Sequence, residues 1–178
     1  MIVAGCDVGS TTGKVVIMDD DTILADSIVP SRVICEDTAN DAMNSALDGA
    51  DIFLENIEYI VGTGYGRVSI PFAKKNITEI SCHGMGAFWA DPAIRTVIDI
   101  GGQDCKVIKL EPDGKVQEFV MNEKCAAGTG RFLQDTALAL DLTVEELGPL
   151  SLNAGSRAEV SAQCSVFAET EVVNLLVD

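Results

Sequence analysis

Positive charge is scarce in this sequence: 12 lysines and arginines stand against 28 aspartates and glutamates, a formal net charge of −16 over 178 residues. Nucleic acid and anionic lipid are bound through clustered Lys and Arg, so broad contact with either is excluded and small molecules or proteins are the expected partners. No charged-then-apolar signal peptide opens the chain, and its apolar runs fall far short of the roughly 20 residues that cross a bilayer; the expectation is a cytoplasmic protein with no membrane contact. There is no Cys-x-x-Cys pair, which argues against a zinc ribbon or a bacterial ferredoxin cluster. The one histidine, His83, falls near a helix start and reads as structural before it reads as a sensor.

Apolar residues, by contrast, are plentiful. At 47% hydrophobic and a mean hydropathy of +0.24, the chain can fill the core of one large or two small domains. Its six cysteines, Cys6, Cys35, Cys82, Cys105, Cys125 and Cys164, would stay reduced in a cytoplasm, so metal binding outranks a disulfide framework. Cys125 lies in Asn122-Glu-Lys-Cys-Ala-Ala-Gly-Thr-Gly-Arg131, just ahead of a helix-period run of Phe132, Leu133, Ala137, Leu138 and Leu140. Cys164 likewise precedes Val172, Val173, Leu175 and Leu176, with Glu169 and Glu171 in the first turns. A thiolate at a helix mouth is stabilised by free N–H groups and the helix dipole, as is any anionic group it carries, an iron–sulfur cluster included. A single cysteine is more often a small buried hydrophobe, but two in the same context weaken that reading. Cys82 and Cys105 lie in or beside runs that read as buried, and with Cys6 and Cys35 they read as core or surface thiols and not as ligands.

In chain order, Ile2 to Val8 reads as a strand running into Asp7-Val-Gly-Ser-Thr-Thr-Gly-Lys14, after which Val15 to Met18 resume a strand. Small residues and hydroxyls at that turn can surround phosphate oxygens, and Asp7 at the strand end is placed to hold Mg²⁺ through water; an ordinary glycine-turned hairpin fits the same residues. A third strand is expected over Thr22 to Val29, a helix over Asp37 to Leu54, and a strand over Ile57 to Val61. The last runs into Gly62-Thr-Gly-Tyr-Gly-Arg67, either a ligand loop or a tight connection, and without a following lysine not a Walker A loop. The opening design then returns. Thr96 to Ile100 end in Asp99-Ile-Gly-Gly-Gln-Asp104, and Cys105 to Leu110 lead away to the Pro112-Asp-Gly114 turn. Two such loops facing one another would clamp a polyphosphate between two lobes.

The pairing of Asp7-Val-Gly-Ser-Thr-Thr12 with Asp99-Ile-Gly-Gly-Gln-Asp104 resembles the two phosphate motifs of the acetate and sugar kinase, heat-shock chaperone and actin superfamily. With Asn122 to Phe132 and Ala162 to Glu169 added, the chain resembles the activators of 2-hydroxyacyl-CoA dehydratases, in the family that also holds the ATPase subunits of benzoyl-CoA reductase. The resemblance covers essentially the whole chain. It implies an α/β fold of the two-lobed actin-like ATPase (ribonuclease H-like) kind, with a first lobe over residues 1–95 and a second over 96–178. Because no glycine-rich adenosine motif follows, that second lobe is expected to be incomplete and the chain truncated. The implied function is ATP-dependent, one-electron activation of a 2-hydroxyacyl-CoA dehydratase or related reductase, with ferredoxin or flavodoxin as electron donor. The implied cofactors are ATP, Mg²⁺ and one 4Fe–4S cluster per homodimer, ligated by Cys125 and Cys164 of each subunit.

Chemistry then assigns expected roles. Gly9, Ser10, Thr11, Thr12, Gly101 and Gly102 would donate to phosphates, with Lys14 compensating charge. Asp7 and Asp99 would bind Mg²⁺ through water, and Gln103 or Asp104 would orient the attacking water. Arg131 and Lys124 could offset the cluster's charge. Two rivals remain: a small-molecule kinase of the same superfamily, which has no use for Cys125 and Cys164, and a non-catalytic domain that binds a cluster without ATP turnover.

Overall fold

The computed structural model describes residues 1–122, 128–160 and 165–177. It divides into two compact units, one of Met1–Ile94 with Glu111–Val116, the other of Arg95–Leu110 with Gln117–Asp178.

In the first unit a five-stranded sheet has the order β3-β2-β1-β4-β5, built from β1 (Ile2–Val8), β2 (Thr12–Asp19), β3 (Thr22–Pro30), β4 (Tyr59–Thr63) and β5 (Lys75–Asn76). The first three strands form an antiparallel meander; β4 pairs parallel with β1 and β5 with β4. The connection from β3 to β4 is helix α1 (Cys35–Ala50), which packs on β1, β2 and β3. Alternation decides which face it covers. Ala4, Cys6 and Val8 of β1 and Val15 and Ile17 of β2 are buried, and so are Thr38, Ala39, Ala42, Met43 and Ala46 along one stripe of α1. The alanine-rich stripe lets the helix come close: a Cβ on Gly13 of β2 would collide with Thr38 Cγ2. Ser27 fits into this core because its hydroxyl donates to Ala42 O at 2.7 Å.

The bounds of two elements move from the expected ones. Helix α1 begins at Cys35 and stops at Ala50, short of Leu54, because Asp51 turns the chain into the left-handed region (φ 53), which aspartate tolerates better than most residues. Strand β4 starts at Tyr59, since Ile57 is spent as a buried anchor before the ladder begins. Helix α2 (Glu79–Ala90) follows, its Thr78 cap accepting from Ser81 N. Residues Glu111–Val116 cluster with this unit, and there Gly114, at φ +81, abuts Phe88 of α2.

The second unit holds a three-stranded sheet, β6 (Thr96–Ile100), β7 (Cys105–Leu110) and β8 (Val116–Met121), in the order β6-β7-β8, with β6 and β7 antiparallel. Among the described residues it also holds the helices α3 (Gly130–Ala139), α4 (Val144–Leu152) and α5 (Ser165–Val177). Helix α4 was not expected from the sequence, although Thr143 and Glu146 form a capping box at its start, a signal readable as Thr-x-x-Glu. Helices α3 and α5 pack on one another, and each carries one fully buried alanine, Ala137 and Ala168. No helix among the described residues is long and apolar enough to cross a membrane.

Candidate functional site

Asp7 is the next-to-last residue of β1, on the face turned away from α1, and its cross-strand partner in β2 is Lys14. Lys14 Nζ lies 3.0 Å from Asp7 Oδ2, with both side chains part-exposed. Between them the Gly9 N–H donates to Thr12 O (3.0 Å), closing a turn that carries the exposed Ser10 and Thr11 at its tip. The turn is braced from just beyond β3, where Ser31 N–H donates to Thr11 O and Ser31 Oγ to Gly9 O, both at 2.9 Å.

The second loop repeats the cross-strand pairing and the turn bond. Asp99, next to last in β6, is the cross-strand partner of Lys106 in β7, and the Gly101 N–H donates to Asp104 O at 2.8 Å. In both loops, then, the first glycine's N–H closes the turn and does not point outward. These glycines serve by shape: a Cβ would lie 3.0 Å from Thr12 O at Gly9 and 2.6 Å from Asp104 Oδ1 at Gly101.

Lys106 was not among the residues singled out in the sequence. Its side chain is 3% exposed, with Nζ 2.7 Å from Asp104 Oδ1 and 3.3 Å from Asp99 Oδ2. Burial works against its charge, yet the hydrogen bond to Asp104 and the charges of Asp104 and Asp99 outweigh that cost and hold its pKa above the ordinary lysine value. The period-two pattern carried the signal, because Lys106 is in phase with the buried Ile108 and Leu110 whereas Lys109 is exposed with Val107. Asp104 is buried against Lys106, and Gln103 is exposed beside it.

The loop also seats a helix. Gly101 O accepts from Gly130 N–H (2.8 Å) and Gly102 O from Arg131 N–H (3.0 Å), so two of the otherwise unpaired donors at the start of α3 are satisfied by loop carbonyls. Thr129, the residue before α3, is 2% exposed. Cys105 reaches the same segment: its Sγ donates to Gly128 O at 3.3 Å, its N–H to Asn122 Oδ1 at 2.9 Å, and its carbonyl accepts from Asn122 N–H at 3.2 Å.

Cys125, Cys164 and Lys124 lie outside the described residues. Helix α5 begins at Ser165, next in sequence to Cys164, and α3 begins five residues after Cys125. Arg131 is exposed and pairs loosely with Asp135 (3.7 Å). Among the described residues no three of His, Cys, Asp and Glu gather as a metal-binding set. Cys6 is buried and its thiol is pushed up to about 12 by burial and then by Asp7. Cys105 is raised by burial first, then by Asp104 and Asp99, against the opposing effect of Lys106. His83 sits half-buried in α2.

Strand-end aspartates and small-residue turns, repeated in a second sheet, accord with the actin-like ATPase fold of the solved structures that the chain resembles. The chain belongs to the BadF/BadG/BcrA/BcrD ATPase family, whose model matches residues 4–177. It is 44% identical to the activator of lactoyl-CoA dehydratase of Anaerotignum propionicum, over 99% of this chain and 68% of that protein. It superposes with a TM-score of 0.89 on the crystal structure of the Acidaminococcus fermentans (R)-2-hydroxyglutaryl-CoA dehydratase component A, at 41% identity over 99% of this chain and 68% of that one. With the activator of the 2-hydroxyisocaproyl-CoA dehydratase from Clostridium difficile, solved with bound ADPNP, the TM-score is 0.88 at 40% identity, over 99% of this chain and 66% of that one. The chain thus spans about two thirds of the length of these relatives.

Proposed function

We propose that the chain is the ATP-dependent, one-electron activator of a 2-hydroxyacyl-CoA dehydratase or related reductase, working as a homodimer with one 4Fe–4S cluster held by Cys125 and Cys164 of each subunit. The relatives' names support the partner class, and the ADPNP-bound relative supports the nucleotide. The observation that carries the reading is the pair of hydrogen bonds from the Gly130 and Arg131 N–H groups to Gly101 and Gly102 of the second loop. They tie the helix that follows Cys125 to a phosphate loop, and that helix packs on the one that follows Cys164. A shift in the loop on binding or losing a phosphate is therefore passed mechanically to both helices.

In this reading Ser10, Thr11 and Thr12 hydrogen-bond phosphate oxygens, with Gly9, Gly101 and Gly102 keeping the backbone close, and Lys14 turns from Asp7 to a phosphate. Asp7 and Asp99 bind Mg²⁺ through water. Gln103, exposed at the loop tip, orients the attacking water, while Asp104 is committed to Lys106 and anchors the loop. A 4Fe–4S cluster, when bound, would supply a low-potential electron, with Cys125 and Cys164, which precede α3 and α5 in the sequence, as its ligands. Ferredoxin or flavodoxin would reload it, in the cytoplasm.

Anaerobic reconstitution with iron and sulfide tests the assignment. A brown dimer that hydrolyses ATP is expected. A colourless monomer that phosphorylates a small molecule would return the chain to the kinase reading, and a brown dimer without ATP turnover would make it an inert cluster domain.

A further inference from the structure

The Gly62–Arg67 loop has no part in the site described so far, yet it is built against it. Thr63 ends β4, and the parallel register of β4 with β1 puts it directly across from Asp7, which on its other side is across from Lys14. Register partners on neighbouring strands stand about 4.8 Å apart with side chains on the same face. Lys14, Asp7 and Thr63 thus form one row across β2, β1 and β4, on the face turned away from α1. The next residue, Gly64, takes φ +85, and a Cβ there would collide with Asp7 Oδ1. The loop is pinned in this position: Gly66 N–H donates to Val8 O at 2.9 Å, and Arg67 Nη1 donates to Gly64 O at 2.9 Å while lying 3.6 Å from Glu79 Oε2.

In that row one group is unsatisfied. Thr63 is 9% exposed, and its Oγ1 is buried with no hydrogen-bond partner. A buried hydroxyl without a partner costs folding free energy, so one kept at the end of a strand, beside a carboxylate with a metal-binding task, calls for an occupant that brings its own polar atoms. We propose that Thr63 Oγ1 accepts a hydrogen bond from one of the waters through which Asp7 binds the Mg²⁺ of the nucleotide, which makes Thr63 a positioning residue of that site. The inference rests on the ATP reading above and extends it to a loop and a residue that reading does not use. Thr63 then flanks Asp7 on the side opposite Lys14, and its hydroxyl stays beside the carboxylate when Lys14 turns to a phosphate.

The test is calorimetric titration of ADP with and without Mg²⁺ into the parent, Thr63→Val and Thr63→Ser proteins, with melting temperatures alongside. Loss of an outer-shell partner typically weakens metal binding about 10- to 100-fold. Thr63→Val is expected to lose that much of the gain in ADP affinity that Mg²⁺ brings, to bind metal-free ADP as the parent does, and to melt no lower, because its methyl group replaces an unsatisfied hydroxyl. Thr63→Ser should restore the Mg²⁺ response. Should Thr63→Val not fold, Thr63→Ala carries the same comparison. A valine variant with the parent's Mg²⁺ response overturns the inference alone, as does one that weakens ADP equally with and without the metal. A parent whose ADP affinity ignores Mg²⁺ overturns the role of Asp7 and the inference with it.

Discussion

Lys106 Nζ lies 3.3 Å from Asp99 Oδ2 across the β6–β7 ladder, the same pairing that Lys14 makes with Asp7 across β1 and β2. The two lysines are not equivalent. Lys14 is 42% exposed and can leave its carboxylate, whereas Lys106 is 3% exposed and holds Asp104 as well. One pair is therefore suited to exchange a partner when phosphate arrives, and the other to fix a loop.

Replacing Lys106 by methionine should cost about 3–5 kcal/mol, because it takes a buried ammonium away from the Asp104 and Asp99 carboxylates that it bonds. Folding raises the Lys106 pKa above its unfolded value, so the stability it brings is complete below the ordinary lysine range and is lost as pH climbs through the raised value. Urea denaturation of parent and variant should show the gap narrowing only in strongly alkaline solution. An unchanged midpoint at neutral pH would contradict the anchoring role.

Asp7→Ala and Asp99→Ala should each weaken Mg²⁺-dependent nucleotide binding without unfolding the protein. Calorimetry with ATP and ADP in the presence of Mg²⁺ reads this directly, and circular dichroism confirms the fold. Equal affinities for parent and both variants would remove the two aspartates from the site.

The repeat of the two loops was legible in the sequence because it consists of residue types at fixed spacing, Asp-x-Gly followed by a strand of period two. Lys106 was legible in principle, in phase with Ile108 and Leu110, but a lysine in a strand reads as solvent-facing until its partners are known. The orphaned hydroxyl of Thr63 could not be read at all: it depends on the parallel register of β4 against β1, two strands separated by β2, β3 and α1. The tie between Gly101, Gly102 and the start of α3 is likewise a contact between backbone atoms, on which side-chain types are silent.

Gly64→Ala should destabilise the protein by at least the roughly 1–2 kcal/mol that a left-handed conformation costs a residue with a Cβ, with the contact against Asp7 Oδ1 adding to it. Nucleotide affinity should fall as well, since the carboxylate must shift to make room. A thermal midpoint and an ADP affinity both equal to the parent's would show that the loop yields easily.

Cys125→Ser and Cys164→Ser should each lose both iron and dimer, because two ligands per subunit force the cluster to be shared. Cys6, Cys35, Cys82 and Cys105 replaced singly should lose neither. Iron analysis and sedimentation of anaerobically reconstituted protein, with about four iron atoms per dimer expected for the parent, decide between the two sets.

The central claim is that ATP drives an electron out of this protein. The most direct measurement is rapid anaerobic mixing of the reduced, reconstituted chain with a 2-hydroxyacyl-CoA dehydratase, following the visible absorbance of the iron–sulfur centre with ATP, with ADP and without nucleotide. Oxidation that is fast with ATP, absent without nucleotide and lost in the Asp99→Ala protein is the predicted result. Oxidation at the same rate under all three conditions, or none under any, would contradict it.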